Sequence, residues 1–100
     1  GSFRVLDVED ASMTIKITLT PGHGMNYHSH ENRDEVWTVI SGTGHAILDG
    51  VRRDVKAGDI LTMPAGCRHT VFADSELKII EVQLGPASVE DKQKYPLPQA

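Results

Sequence analysis

Apolar and polar side chains alternate from Thr14 to Leu19, with Ile15, Ile17 and Leu19 on one side and Thr14, Lys16 and Thr18 on the other, the period of a half-buried strand. Pro21-Gly22 breaks the run. Similar short β-rich runs follow at Met25 to His30, Glu35 to Ser41, Gly44 to Leu48, Val51 to Val55, Ile60 to Met63, His69 to Ala73 and Leu77 to Leu84. Turn formers separate them: Ser41-Gly42, Asp49-Gly50, Ala57-Gly58-Asp59, Pro64-Ala65-Gly66 and Ala73-Asp74-Ser75. Asp49-Gly50 predicts a type I′ hairpin, because both central residues of that turn need positive φ and Asp-Gly supplies it cheaply. Short strands spaced by roughly ten residues, with no helical pattern of any length, predict an all-β sandwich or barrel. After Gly85-Pro86 the composition shifts. Ser88 could cap one helical turn there, whereas Pro96 and Pro98 favour an extended or frayed tail over 86–100.

One hundred residues predict one domain spanning 1–100, large enough to hold a core without disulfides. No apolar run approaches the ~20 residues that cross a bilayer as a helix, so no membrane association is expected. There is no charged start, apolar stretch and small-residue cleavage site, and the lone Cys67 cannot form an internal bridge, so a cytoplasmic address is expected. The net charge is -4 and the basic residues are scattered, which argues against a nucleic-acid partner.

Candidate chemistry centres on histidine. His28-Ser29-His30 places two imidazoles at i and i+2, the same face of a strand. Glu35 opens the next run and could fold back onto that face, and His69, after Pro64-Ala65-Gly66, could supply a fourth donor. Imidazole nitrogens with one carboxylate suit zinc, manganese, iron, nickel or copper and leave positions open for a small molecule.

The order Gly22, His28, His30, Glu35, Gly42, then Gly58, Pro64, Gly66, His69 resembles the two motifs of the cupin superfamily, over 22–42 and 58–73. That resemblance implies a small double-stranded β-helix barrel of jelly-roll type, with His28, His30, Glu35 and His69 binding one divalent metal, zinc first among the candidates. One position departs: the second motif usually ends in Asn where this chain has Ala73. The stretches Arg33 to Thr43, Met63 to His69 and Ile79 to Gly85 are similar to the cupin domain of type II phosphomannose (mannose-6-phosphate) isomerases, and Gly1 to Asp7 looks like the opening of that domain. Gln commonly stands where this chain has His28, and the C-terminus differs, offering Lys92, Lys94 and Tyr95-Pro96.

Isomerising an aldose to a ketose requires a proton taken beside a carbonyl and stabilisation of the enediolate. Glu81 and His45 are the candidate catalytic bases. Arg33, Arg68 and Lys56 could hold a phosphate; Trp37 could wall the pocket or belong to the core; Gln83 could reach substrate. Three functions compete: a metal-dependent sugar-phosphate isomerase, a metal-dependent oxygenase, and a non-catalytic metal- or sugar-binding module. Exposed sheet edges in so small a barrel also predict a homodimer that covers the N-terminal strand.

Overall fold

Each alternating run becomes a strand, and the turn formers fall between strands. The computed structural model describes residues 2–9, 12–85 and 92–96. Its strands are β1 (Ser2–Glu9), β2 (Ser12–Leu19), β3 (Tyr27–Ser29), β4 (Asp34–Ser41), β5 (Thr43–Leu48), β6 (Val51–Lys56), β7 (Ile60–Met63), β8 (His69–Ala73), β9 (Leu77–Leu84) and β10 (Gln93–Tyr95). Strand identity follows the pattern closely from β2 to β9, while β1 and β10 carry no clean alternation and were not among the predicted runs. The helical turn suggested at Ser88 lies outside the described residues.

The strands form two antiparallel five-stranded sheets, in the orders β1-β2-β9-β4-β7 and β10-β3-β8-β5-β6. Chain order and sheet order differ because, outside the β1–β2 and β5–β6 pairs, successive strands cross from one sheet to the other. Asp49 (φ 47°) and Gly50 (φ 84°) both take the left-handed conformation at the β5–β6 hairpin, as the Asp-Gly signal requires.

Inward-facing residues of the two sheets meet to form the core: Ile15, Ile17 and Leu19 from β2, Trp37 and Val39 from β4, Leu61 and Met63 from β7, and Leu77 and Ile79 from β9 oppose Ala46, Val55, Val71 and Ala73. Burying each large apolar side chain contributes roughly 2 kcal/mol before entropy is counted. The same period-two alternation carries Glu35, Glu81 and Gln83 inward, so these polar groups extend the core surface.

Backbone contacts lock the loops that flank the histidines. The Gly66 amide donates to the His30 carbonyl at 2.7 Å and the Ala65 amide to Asp34 Oδ1 at 2.7 Å, which draws the turn before His69 against the loop between β3 and β4. At the far end, Gly42 (φ +90°) turns beside the Glu76 carbonyl, which stands where a Cβ would go.

Gly42→Ala therefore combines a strained φ with a collision against backbone. A loss of about 3 kcal/mol or more is expected in chemical denaturation. Gly58→Ala, at a similar φ with nothing within 4 Å of its Cβ position, is expected to cost only about 1 kcal/mol.

Candidate metal centre

Three imidazoles converge although their residues are distant in the chain. His28 pairs directly across from His69 on the neighbouring strand, and His30 follows at the end of β3. One ring nitrogen from each of His28, His30 and His69 lies within 4.8 Å of the other two, and all three side chains are buried. Glu35 joins them from the opposite sheet rather than by folding back along its own, because β4 and β3 belong to different sheets. Its Oε2 stands 3.1 Å from His30 Nε2 and its Oε1 3.4 Å from His69 Nε2.

The hydrogen bonds around the rings determine which nitrogens are available. His28 Nδ1 donates to the Asn26 carbonyl at 2.6 Å and His69 Nδ1 to the Cys67 carbonyl at 3.0 Å, which turns the Nε2 of each ring toward the cluster. His69 Nε2 is buried and finds no hydrogen-bond partner among the described residues. It stands 3.4 Å from Glu35 Oε1, where a proton or a cation between ring and carboxylate satisfies both. At His30, Arg33 already supplies positive charge: its Nη2 donates to His30 Nε2 at 3.0 Å and its Nε to Glu35 Oε2 at 3.2 Å. The donor set of imidazole nitrogens and one carboxylate therefore fits a divalent transition metal.

Electrostatics suit the same purpose. Burial, aided by repulsion from the neighbouring His69, Lys92 and His30, overrides the Asn26 bond and lowers the His28 imidazole to about 4, so it stays neutral at physiological pH. Burial would raise Glu35, but His30, His69 and the hydrogen bond with Glu81 hold it well below the usual carboxylate range. Trp37 Nε1 donates to Glu35 Oε1 at 3.0 Å. Glu81 goes the other way: burial first, then the adjacent Glu35 charge, push it up to about 8. Gln83 Nε2 donates to Glu81 Oε2 at 2.7 Å and fixes its carboxyl. Burial and the Asp49 charge push the Cys67 thiol up to about 11, so it remains a thiol.

A cavity of about 440 Å³ opens onto this group. Its lining includes His28, His30, Arg33, Glu35 and Glu81, joined by Asn26 and Lys92. Other proposed site residues lie elsewhere. His45 stacks on Phe72 and approaches Asp74 Oδ1 at 3.4 Å, projecting from the opposite face of β5 to the core residue Ala46. Arg68 lies over the Tyr95 ring, 3.9 Å from its centroid, beside a separate depression. Lys56 is exposed and pairs with Asp59. Trp37 is fully buried and meets Glu35 instead of walling the cavity, and Gln83 touches Glu81. Asn26 stands in no recognisable motif, and Lys92 is marked in the sequence only as part of the departure at the C-terminus.

Two antiparallel sheets rolled face to face, with clustered imidazoles on their inner surface, define a double-stranded β-helix with a site competent for a metal. Residues 15–83 match the family described as Cupin domain, and the chain belongs to the cupin family. It is 27% identical over 78 residues to a mannose-1-phosphate guanylyltransferase of Klebsiella pneumoniae, a match covering 76% of this chain and 17% of the relative. The chain thus spans under a fifth of that curated relative's length. A double-stranded β-helix protein from Klebsiella pneumoniae superposes with TM-score 0.82 at 22% identity, covering 92% of this chain and 81% of the other. A salicylate 1,2-dioxygenase from Pseudoaminobacter salicylatoxidans, in a structure with gentisate, superposes with TM-score 0.76 at 15% identity over 81% of this chain and 24% of the enzyme. At these identities the structural likeness is one of fold.

The Glu81 environment generates a pH dependence. A carboxyl whose folded pKa is raised contributes its stability below about pH 4.5 and loses it as pH rises toward 8. In chelator-treated protein this carboxyl alone lowers stability by roughly 1 kcal/mol per pH unit over that window; His28, lowered to about 4, opposes it below pH 6.5, so the net fall is expected between pH 6.5 and 8, and Glu81→Gln, which keeps the donor but cannot ionise, is expected to flatten it. Denaturation midpoints at pH 5, 6.5 and 8 measure it; equal slopes in both proteins would contradict the assignment.

Proposed function

We propose that this chain is a homodimeric, metal-dependent cupin that interconverts aldose and ketose forms of a sugar phosphate in the cytoplasm. In this reading His28, His30, Glu35 and His69 hold one divalent cation, zinc first among the candidates. The observation that carries the reaction class is Glu81: a buried carboxyl facing the cavity beside the donor set, held protonated to about pH 8. A group of that pKa takes and returns a proton near neutral pH, which carbon-acid chemistry demands. Gln83 orients the carboxyl and Glu35 accepts its hydrogen bond, so proton exchange occurs at a fixed atom. A divalent cation, when bound, supplies Lewis acidity that draws charge from a neighbouring carbonyl. Arg33 and Lys92 both line the cavity and favour an anionic substrate; Arg33 suits a phosphate or carboxylate with its forked donors. The guanylyltransferase relatives handle, by their name, a mannose phosphate, which supports the same substrate class.

Elemental analysis combined with deuterium uptake from solvent into mannose 6-phosphate tests this. One divalent ion per chain and measurable exchange are expected, with His30→Ala losing the metal. Glu81→Gln is expected to keep the metal and lose at least about a hundredfold in exchange. Undiminished exchange in Glu81→Gln, or none with any hexose phosphate, would contradict the isomerase reading. Bound iron or copper with oxygen uptake would point instead to an oxygenase.

A further inference from the structure

β1 is the outermost strand of its sheet, and among the described residues no strand pairs with its free edge. All of its residues are exposed, including four large apolar ones: Phe3 (72%), Val5 (44%), Leu6 (48%) and Val8 (58%). Edge strands that remain free are usually short, or guarded by lysine, proline or inward-pointing charge; β1 runs for 8 residues, has neither lysine nor proline, and its charges Arg4, Asp7 and Glu9 lie on the outer face, the register shift after Val5 being its one irregularity. Its faces are sorted. Phe3, Val5 and Val8 pair with Ile17, Ile15 and Met13 of β2, and a register shift between Val5 and Asp7 keeps all three on the inner face despite their uneven spacing. Arg4, Asp7 and Glu9 pair with Lys16, Thr14 and Ser12 on the outer face.

We propose that the free edge of β1 pairs antiparallel with β1 of a second copy of this chain, in one defined register. Phe3 of each copy lies opposite Val8 of the other, Val5 opposite Leu6, and Arg4 opposite Asp7. The chemistry of the strand selects this alignment. It matches apolar with apolar and positive with negative, and a two-fold axis between Val5 and Leu6 makes every contact twice. A slip of one residue either way sets Phe3 against an acidic residue and Arg4 against an apolar one. The shared register also keeps Phe3 opposite Val8 on the inner face and Arg4 opposite Asp7 on the outer, so the two five-stranded sheets become one continuous sheet. Ser2 and Phe3 line the same cavity as His28, Glu35 and Glu81, so pairing at β1 fixes one wall of the site.

This rests on the homodimeric part of the function proposed above and gives it an interface. Sedimentation equilibrium over a concentration series tests it, with circular dichroism and metal content as controls for folding. The unaltered chain is expected to dimerise, and Arg4→Asp or Asp7→Arg alone to weaken the dimer by about tenfold or more, since each sets two like-charged pairs across the seam. Mixing the two single variants restores opposite charges at both contacts, and dimer formation is expected to return, as it is in the double variant Arg4→Asp/Asp7→Arg. A monomer at high micromolar concentration would overturn the interface, and single variants that dimerise like the parent, or a mixture that stays weak, would overturn the register. The two readings fail separately: these outcomes read association, whereas the isomerase reading stands or falls on the metal content and exchange of the unaltered chain and of Glu81→Gln.

Discussion

A carboxylate buried in a dry interior organises the site. Glu35 is almost wholly excluded from water, and an ionised carboxyl in that position costs several kcal/mol unless the surroundings supply compensating donors or charge. Arg33, Trp37 and Glu81 meet that demand from three directions, and the imidazoles of His30 and His69 crowd the same two oxygens. The rings of His28 and His69 are in turn oriented by backbone carbonyls, which turns their Nε2 atoms toward the cluster. That convergence leaves ring nitrogens and carboxylate to share protons or a cation.

The fold's contribution is to bring donors from two sheets into register. β3 and β8 deliver histidines from one sheet, while β4 and β9 deliver Glu35 and Glu81 from the other. The apolar half of the barrel, around Trp37, Leu61 and Ile79, supplies rigidity, and Trp37 links the halves by packing in the core while donating to Glu35. The neighbouring carboxyls end up in opposite states because Glu35 accepts hydrogen bonds, whereas burial and then the Glu35 charge keep a proton on its neighbour: Glu35 stays ionised and Glu81 stays protonated. Two titratable groups driven apart in this way are a common arrangement for acid–base work.

Much of this was legible in the chain. Alternation located β2 to β9, Asp49-Gly50 located the hairpin, and the His28, His30, Glu35 and His69 spacing pointed to a common site, because period-two patterns and turn chemistry are local properties that a sequence displays directly. The roles of individual side chains were harder to read. Which face His45 occupies depends on strand register, and the pairing of β5 with β6 and β8 turns it away from the core-facing residues. Arg68 is drawn to Tyr95 on β10, a strand that pairs with β3 across 66 residues of chain, with Ser29 Oγ bonded to the Tyr95 hydroxyl beside the ladder. Lys92 reaches the cavity through the same long-range pairing, and β1, exposed throughout, lacks the half-buried pattern that reveals a strand.

X-ray absorption spectroscopy of the metal-loaded protein tests the common centre most directly. The predicted spectrum shows a nitrogen/oxygen shell with multiple scattering from three imidazoles, dropping to two when His69 is replaced by alanine. A bound ion with fewer than three imidazoles, or a spectrum that His69→Ala leaves unchanged, would contradict the account.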